Sequence, residues 1–214
     1  MSKLIRAPRE CGSWFWDLYD IAPAGLESAL STAAQMTEVL DRLDLLTPVK
    51  LEYRWHVLGI GTTGITTSLE VTEPLSSPSL PGRVLGSRPT AFPASEIGHI
   101  HIRGTGTWID AAGKSQEEMN LINLTVSPAP VGLSAELSVH HDIWGKYDFS
   151  GHPHPALHQY NAPRLTAALQ GLSSLFDMAP ELGEPTYFGT ATLDGLATPD
   201  AYDDGLGPDL TSWL

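Results

Sequence analysis

From Val49 to Val57 apolar and polar residues alternate without a break. Val49, Leu51, Tyr53, Trp55 and Val57 fall on one side, and Lys50, Glu52, Arg54 and His56 on the other. Successive side chains of a strand point to opposite faces, so this period of two describes a strand with one buried side. The pattern returns at Ile65, Thr67, Leu69 and Val71, and again at Ile100, Ile102 and Trp108, set against His99, His101, Arg103, Thr105 and Thr107. It continues through Ile122, Leu124 and Val126 within 119–127. It ends with Leu133, Ala135, Leu137, Val139, His141 and Ile143 within 133–144. Strands that are apolar on one side only belong to an antiparallel sheet covered on one face, because parallel sheets are buried on both. The turn from Gly59 to Gly64 makes the first two strands a hairpin.

Two stretches change the period. From Pro23 to about Leu46, apolar residues recur at steps of three and four (Leu26, Ala29, Leu30, Ala33, Met36, Leu40, Leu43), which predicts an amphipathic helix ended by Thr47-Pro48. A second helix is expected from Asn161 as N-cap, with Pro163 in its first turn and Leu165, Ala168, Leu169, Leu172 and Leu175 following. Strands in runs flanked by helices, instead of βαβ alternation, predict a single α+β domain over 1–214. Its expected architecture is a mainly antiparallel sheet of five or six strands with two helices packed on one face. An aromatic arm (1–22, including Trp14, Phe15, Trp16 and Tyr19), a proline-rich loop (74–95) and an acidic irregular tail (190–214) complete it.

Composition narrows the function classes. With 42% apolar and 17% charged residues among 214, the chain has material for a core. Twelve Lys and Arg against 25 Asp and Glu give a net charge of −13, the opposite of a nucleic-acid binder's basic footprint. No apolar run approaches the roughly 18 residues of a membrane span, and no leader pattern precedes Trp14, so a cytoplasmic protein is expected. Its single cysteine, Cys11, has no internal partner and sits beside Glu10, a poor setting for a reactive thiolate.

Histidine is the residue type that could carry chemistry. His99 and His101 lie two apart on one strand and therefore share a face; with His140 from the polar side of a later strand they could form a three-nitrogen site for zinc or another divalent metal. Such a site, with an open position, acidifies a bound water, and Glu136 or Asp142 could orient a ligand. His154 and His158, one helical turn apart, are a second pair. The inward set makes His141 a buried, hydrogen-bonded histidine. Hydrolase elbows and phosphate loops are missing; Gly104-Thr105-Gly106 lies inside a strand, where glycine marks a bulge or a close backbone approach.

The acids are unevenly spread. Residues 165–214 contain no Lys or Arg and eight acids: Asp177, Glu181, Glu184, Asp194, Asp200, Asp203, Asp204 and Asp209. Segregation on this scale exceeds what solubility asks for and suits steering onto a basic partner.

The stretch His140-His141-Asp142-Ile143-Trp144, with Asp148-Phe149-Ser150-Gly151-His152-Pro153-His154-Pro155, Asn161-Ala162-Pro163-Arg164-Leu165 and Pro185-Thr186-Tyr187-Phe188-Gly189, resembles uncharacterised actinobacterial proteins. Some of these are similar to the immunity proteins that neutralise polymorphic toxins. The resemblance spans about residues 100–214 and implies a small acidic α+β protein, without cofactor, that blocks a cognate toxin by binding it. It carries over no catalytic residue. The leading expectation is therefore a non-enzymatic protein that binds a basic toxin domain, with Asp200, Asp203, Asp204 and Asp209 as contact residues. A metal-dependent enzyme built on His99, His101 and His140 is the alternative, and a scaffold role a third.

Overall fold

The computed structural model describes residues 4–59, 61–129 and 132–214; Ile60 of the expected hairpin turn and the first three residues of the expected arm lie outside these. In chain order the elements are β1 (Gly12–Asp17), α1 (Leu26–Asp41), β2 (Thr47–Val57), β3 (Gly61–Glu70), α2 (Leu80–Gly86), β4 (Glu96–Ile109), β5 (Ser115–Met119), β6 (Ile122–Ala129), β7 (Gly132–Val139), α3 (Pro155–Phe176), β8 (Glu181–Leu182), β9 (Thr190–Thr192) and β10 (Gly195–Ala197). One eight-stranded sheet runs β3-β2-β4-β6-β7-β1-β8, with β5 paired to β4, and every pairing is antiparallel.

Register explains why the alternation was so clean. Leu51, Ile102, Leu124, Leu137 and Trp14 lie in one row across five strands, facing α1 and α3. The adjacent row, Glu52, His101, Thr125, Glu136 and Phe15, points the other way. The core expected from the sequence is buried throughout, from Leu30, Ala33 and Leu40 on α1 to Leu165, Leu169 and Leu172 on α3. The sheet is larger than five or six strands because β1 and β8 at one end, and β5 beside β4, come from segments not expected as strands of their own. The aromatic arm is β1, inserted between β7 and β8, so Trp14 and Trp16 reach the core through the sheet itself.

Other boundaries move for physical reasons. Helix α1 ends at Asp41, and the chain turns through Asp44 at φ 53° into β2. The proline-rich loop contains α2, whose Pro81 stands in its first turn, where a missing N–H costs nothing. The strand expected over 119–127 is two strands, broken at Asn120 (φ 55°). The strand expected to reach Trp144 stops at Val139, and Asp142–Trp144 is a 3-10 turn. In the expected tail, β9 and β10 form a hairpin that buries Ala191 against β1 and Gly195 against α3.

The largest correction concerns α3. It begins at Pro155, not at Asn161, and Pro163 lies inside it on an exposed face, where water can satisfy the carbonyl that proline leaves unpaired. Asn161 is fully buried, and its amide brackets one residue of β4: Nδ2 donates to the Ile109 carbonyl (2.8 Å) and Oδ1 accepts the Ile109 N–H (2.9 Å). One turn on, Arg164 donates to the carbonyls of Thr107 (2.6 Å), Leu43 (2.6 Å) and Asp44 (3.2 Å). These bonds join α3, β4 and the α1–β2 turn. The turn fits because Gly104 and Gly106 have no side chain: a Cβ there would stand 2.0 Å from the Thr47 carbonyl oxygen and 2.2 Å from that of Leu45. The glycine pair is thus a close backbone approach, as its place in a strand suggested.

Two substitutions test this core. Trp55→Ala and Trp108→Ala each cost about 3–5 kcal/mol of stability in urea denaturation, because both indoles are buried. Losses under about 1 kcal/mol for both would mean that the inward face is misassigned.

Candidate functional site

The uncovered sheet face and the C-terminal segment hold the residues that the sequence singled out. On the sheet face, His99 and His101 do share a side of β4. His99 Nδ1 lies 2.6 Å from Ser127 Oγ and His101 Nδ1 lies 3.0 Å from Thr125 Oγ1, each pair bridging β4 to β6. Burial, then the neighbouring Arg103, holds the His101 pKa below its ordinary value. Glu52 accepts from Lys50 (2.7 Å) and Arg103 (2.9 Å), which lowers its pKa. Glu136 is half-buried in the same row with no hydrogen bond or ion pair among the described residues, and burial raises its pKa.

The expected third ligand does not join the pair. Thr125 pairs with both His101 and Glu136, whereas Ile122 pairs with Val139, the residue before His140. His140 is therefore about four residues along and two strands across from His101, roughly 13 Å by 10 Å. Imidazoles that share an ion must each come within about 2 Å of it. Among the described residues no group of three His, Cys, Asp or Glu side chains is placed to hold a metal ion. His154 is also engaged, its Nε2 lying 2.8 Å from the Gly145 carbonyl oxygen.

Beyond β7 the chain buries polar groups instead of presenting them. Asp142 is 3% exposed and His141 1%. Asp142 Oδ1 accepts the Ile5 N–H (3.2 Å), tying down the N-terminal segment, and burial raises its pKa to about 7. Burial and then Arg6 push His140 and His141 down to about 4. His141 is buried as expected and its ring hydrogen-bonds to the Leu121 backbone, while its Nδ1, like that of His140, is buried without a hydrogen-bond partner among the described residues. Cys11 is fully buried, and burial raises its thiol pKa, so no thiolate is available.

The C-terminal acids sit on an ordered surface. Gly207 N–H donates to the Gly151 carbonyl (2.8 Å) and Leu210 N–H to that of Phe149 (2.8 Å), docking this segment on the loop before α3. Phe149 and Phe188 pack edge-on beneath it, with ring centroids 5.0 Å apart. Asp204 Oδ1 accepts the Leu206 N–H (3.0 Å), and Asp209 Oδ1 accepts from the Thr211 amide (2.9 Å) and hydroxyl (2.6 Å), which holds the Asp209 pKa low. Asp200 and Asp203 are exposed. Two aromatics meet on this surface. Tyr187 (62% exposed) and Trp213 (52% exposed) stack face to face, centroids 4.5 Å apart and planes 11° from parallel. Their separation in sequence hides the pair; the only signal was an unexplained tryptophan in an acidic, glycine-rich stretch.

Compared with known proteins, the chain matches no family model, no curated protein and no solved structure. No helix among the described residues is long and apolar enough to cross a membrane.

The buried cluster predicts an unusual pH profile. Folded Asp142 keeps its proton to about pH 7, whereas an unfolded aspartate loses it near 4, so its contribution to stability is lost as pH rises through that window. His140 and His141 act oppositely: the unfolded chain binds their protons up to about pH 6.5, so stability rises from about pH 4 to 6.5. Asp142→Asn keeps the acceptor for Ile5 and removes the opposing titration. Its urea midpoint should climb more steeply than wild type from about pH 4.5 to 6.5, with no decline toward pH 7. Parallel profiles would contradict this assignment.

Proposed function

We propose that the protein is a binding protein of the immunity type, acting in the cytoplasm, which neutralises a basic toxin domain by direct contact through its acidic C-terminal surface. The observation that carries this reading is the exposed Tyr187–Trp213 stack in a region rich in acids. Large, half-open Tyr and Trp side chains are the commonest anchors of protein interfaces, and each leaves polar atoms for the partner. Asp209 lies four residues before Trp213 and Glu184 three before Tyr187, and no Lys or Arg follows Arg164. Aromatic anchors supply residence time and the surrounding carboxylates supply association rate. Net charge −13 disfavours a nucleic-acid partner. The resemblance over about residues 100–214 is what makes the basic partner a toxin. The metal-dependent alternative has no convergent ligand set behind it among the described residues.

The test uses the product of the gene directly upstream as partner. Replacing Asp200, Asp203, Asp204 and Asp209 with Asn retains the Oδ1 acceptors of Asp204 and Asp209, so thermal stability should hardly change. Association measured by stopped flow should slow severalfold in low salt. The difference should close near 0.5 M salt, where the screening length is about 4 Å. Trp213→Ala should weaken binding by about tenfold or more, chiefly through faster dissociation. An upstream product that does not bind, or a quadruple variant that associates at the wild-type rate in low salt, would remove the proposal.

A further inference from the structure

A cavity of about 330 Å³ lies at the other end of the sheet, where β2 and β6 end and β4 begins. It falls within the size range of small-molecule sites. Trp55, Ile97 and Pro128 line it from the strands, Leu26 from the start of α1 and Leu85 from α2. Its polar lining includes two opposite charges, Arg88 and Glu96.

The architecture around these groups is fixed. Trp55 donates its indole N–H to Thr67 Oγ1 (2.8 Å) and packs edge-on against Tyr53, whose hydroxyl lies 2.7 Å from Ser87 Oγ. That bond holds the end of α2 to the sheet beside Arg88. The Arg88 guanidinium stands 5.9 Å from the Trp55 ring centroid, with one nitrogen donating to the Pro93 carbonyl (3.1 Å). A guanidinium has five N–H donors in a planar fork, so Arg88 keeps most of its donors for another group. Although Arg88 and Glu96 line one cavity, no ion pair joins them, nor joins either to another described side chain, within 4.0 Å. A cation and an anion that line one largely apolar cavity without pairing match a molecule that carries both charges on an apolar body.

We infer that this cavity binds a small apolar amino acid or similar zwitterion, its carboxylate on Arg88, its ammonium on Glu96 and its side chain against Leu26, Leu85, Ile97 and Pro128. The site is independent of the C-terminal surface and of any toxin. A guanidinium favours a carboxylate because its fork matches the two oxygens, and the apolar lining favours a large side chain over a small one.

The probes are L-phenylalanine, 3-phenylpropanoate, which keeps only the carboxylate, and 2-phenylethylamine, which keeps only the ammonium. Each is titrated into the full chain by calorimetry and by NMR of the tryptophan indole resonances. L-phenylalanine is expected to bind saturably and to shift the Trp55 indole, with each single-charge analogue at least about tenfold weaker. Arg88→Gln and Glu96→Gln should each weaken L-phenylalanine by about tenfold. Both side chains are exposed, so the variants should fold, with unchanged circular dichroism and urea midpoints. Three outcomes would overturn the inference: no saturable binding of L-phenylalanine, binding indifferent to both variants, or 3-phenylpropanoate binding as tightly with Glu96→Gln silent.

Discussion

Arg164 reaches three backbone carbonyls on two different elements, and the arrangement of the helical layer on the sheet depends on that reach. The carbonyls of Leu43 and Asp44 belong to the turn leaving α1, where helical hydrogen bonding has ended, and the carbonyl of Thr107 faces that turn across β4. A single guanidinium supplies enough donors for all three, with α3 as its carrier. Asn161, one turn earlier, closes the same junction by pairing both backbone groups of Ile109, as a neighbouring strand would. None of this fits unless β4 lacks side chains where the turn crosses it, which is the role of Gly104 and Gly106.

With α1 and α3 held on one face, the other face of an eight-stranded sheet stays open, and its residues satisfy one another sideways. His99 and His101 turn to hydroxyls on β6, and Arg103 to Glu52 on β2. Histidines engaged in this way read as sheet cross-links. Glu136 is the exception, a half-buried carboxylate with no partner among the described residues, beside exposed Phe15. The acidic C-terminal surface arises differently, from chain that leaves the hairpin β9–β10 and is fastened to the loop before α3 by Gly207 and Leu210. Within the fastened segment Asp204 and Asp209 accept local backbone hydrogen bonds, and Trp213 comes onto Tyr187.

The alternation of Leu51, Tyr53 and Trp55, and of Ile100 and Ile102, was legible because each such strand has one neighbour layer and one solvent face, which imposes period two on its composition. For the same reason His99 and His101 were placed correctly on one side. His140 was misjudged because local period says nothing about how far along a neighbouring strand a residue lies; that is set by register, and β7 stops at Val139. The arm at Trp14 and Trp16 alternates too, but over only six residues. Pro163 was read as a helix start because an internal proline normally breaks a helix; here its exposed face lets water take the freed carbonyl.

By itself, the sequence determined the α+β class, which side of each strand is buried and the acidic character of the C-terminal fifty residues. Those properties depend on neighbours within a few residues or on composition alone. Only the tertiary structure decided that Asn161 and Arg164 serve β4 and the α1–β2 turn, that Tyr187 meets Trp213, and that Arg88 and Glu96 share a cavity without pairing. Each of these joins residues whose separation along the chain carries no signal, because hydrogen-bond direction and cavity shape exist only once the backbone has been placed.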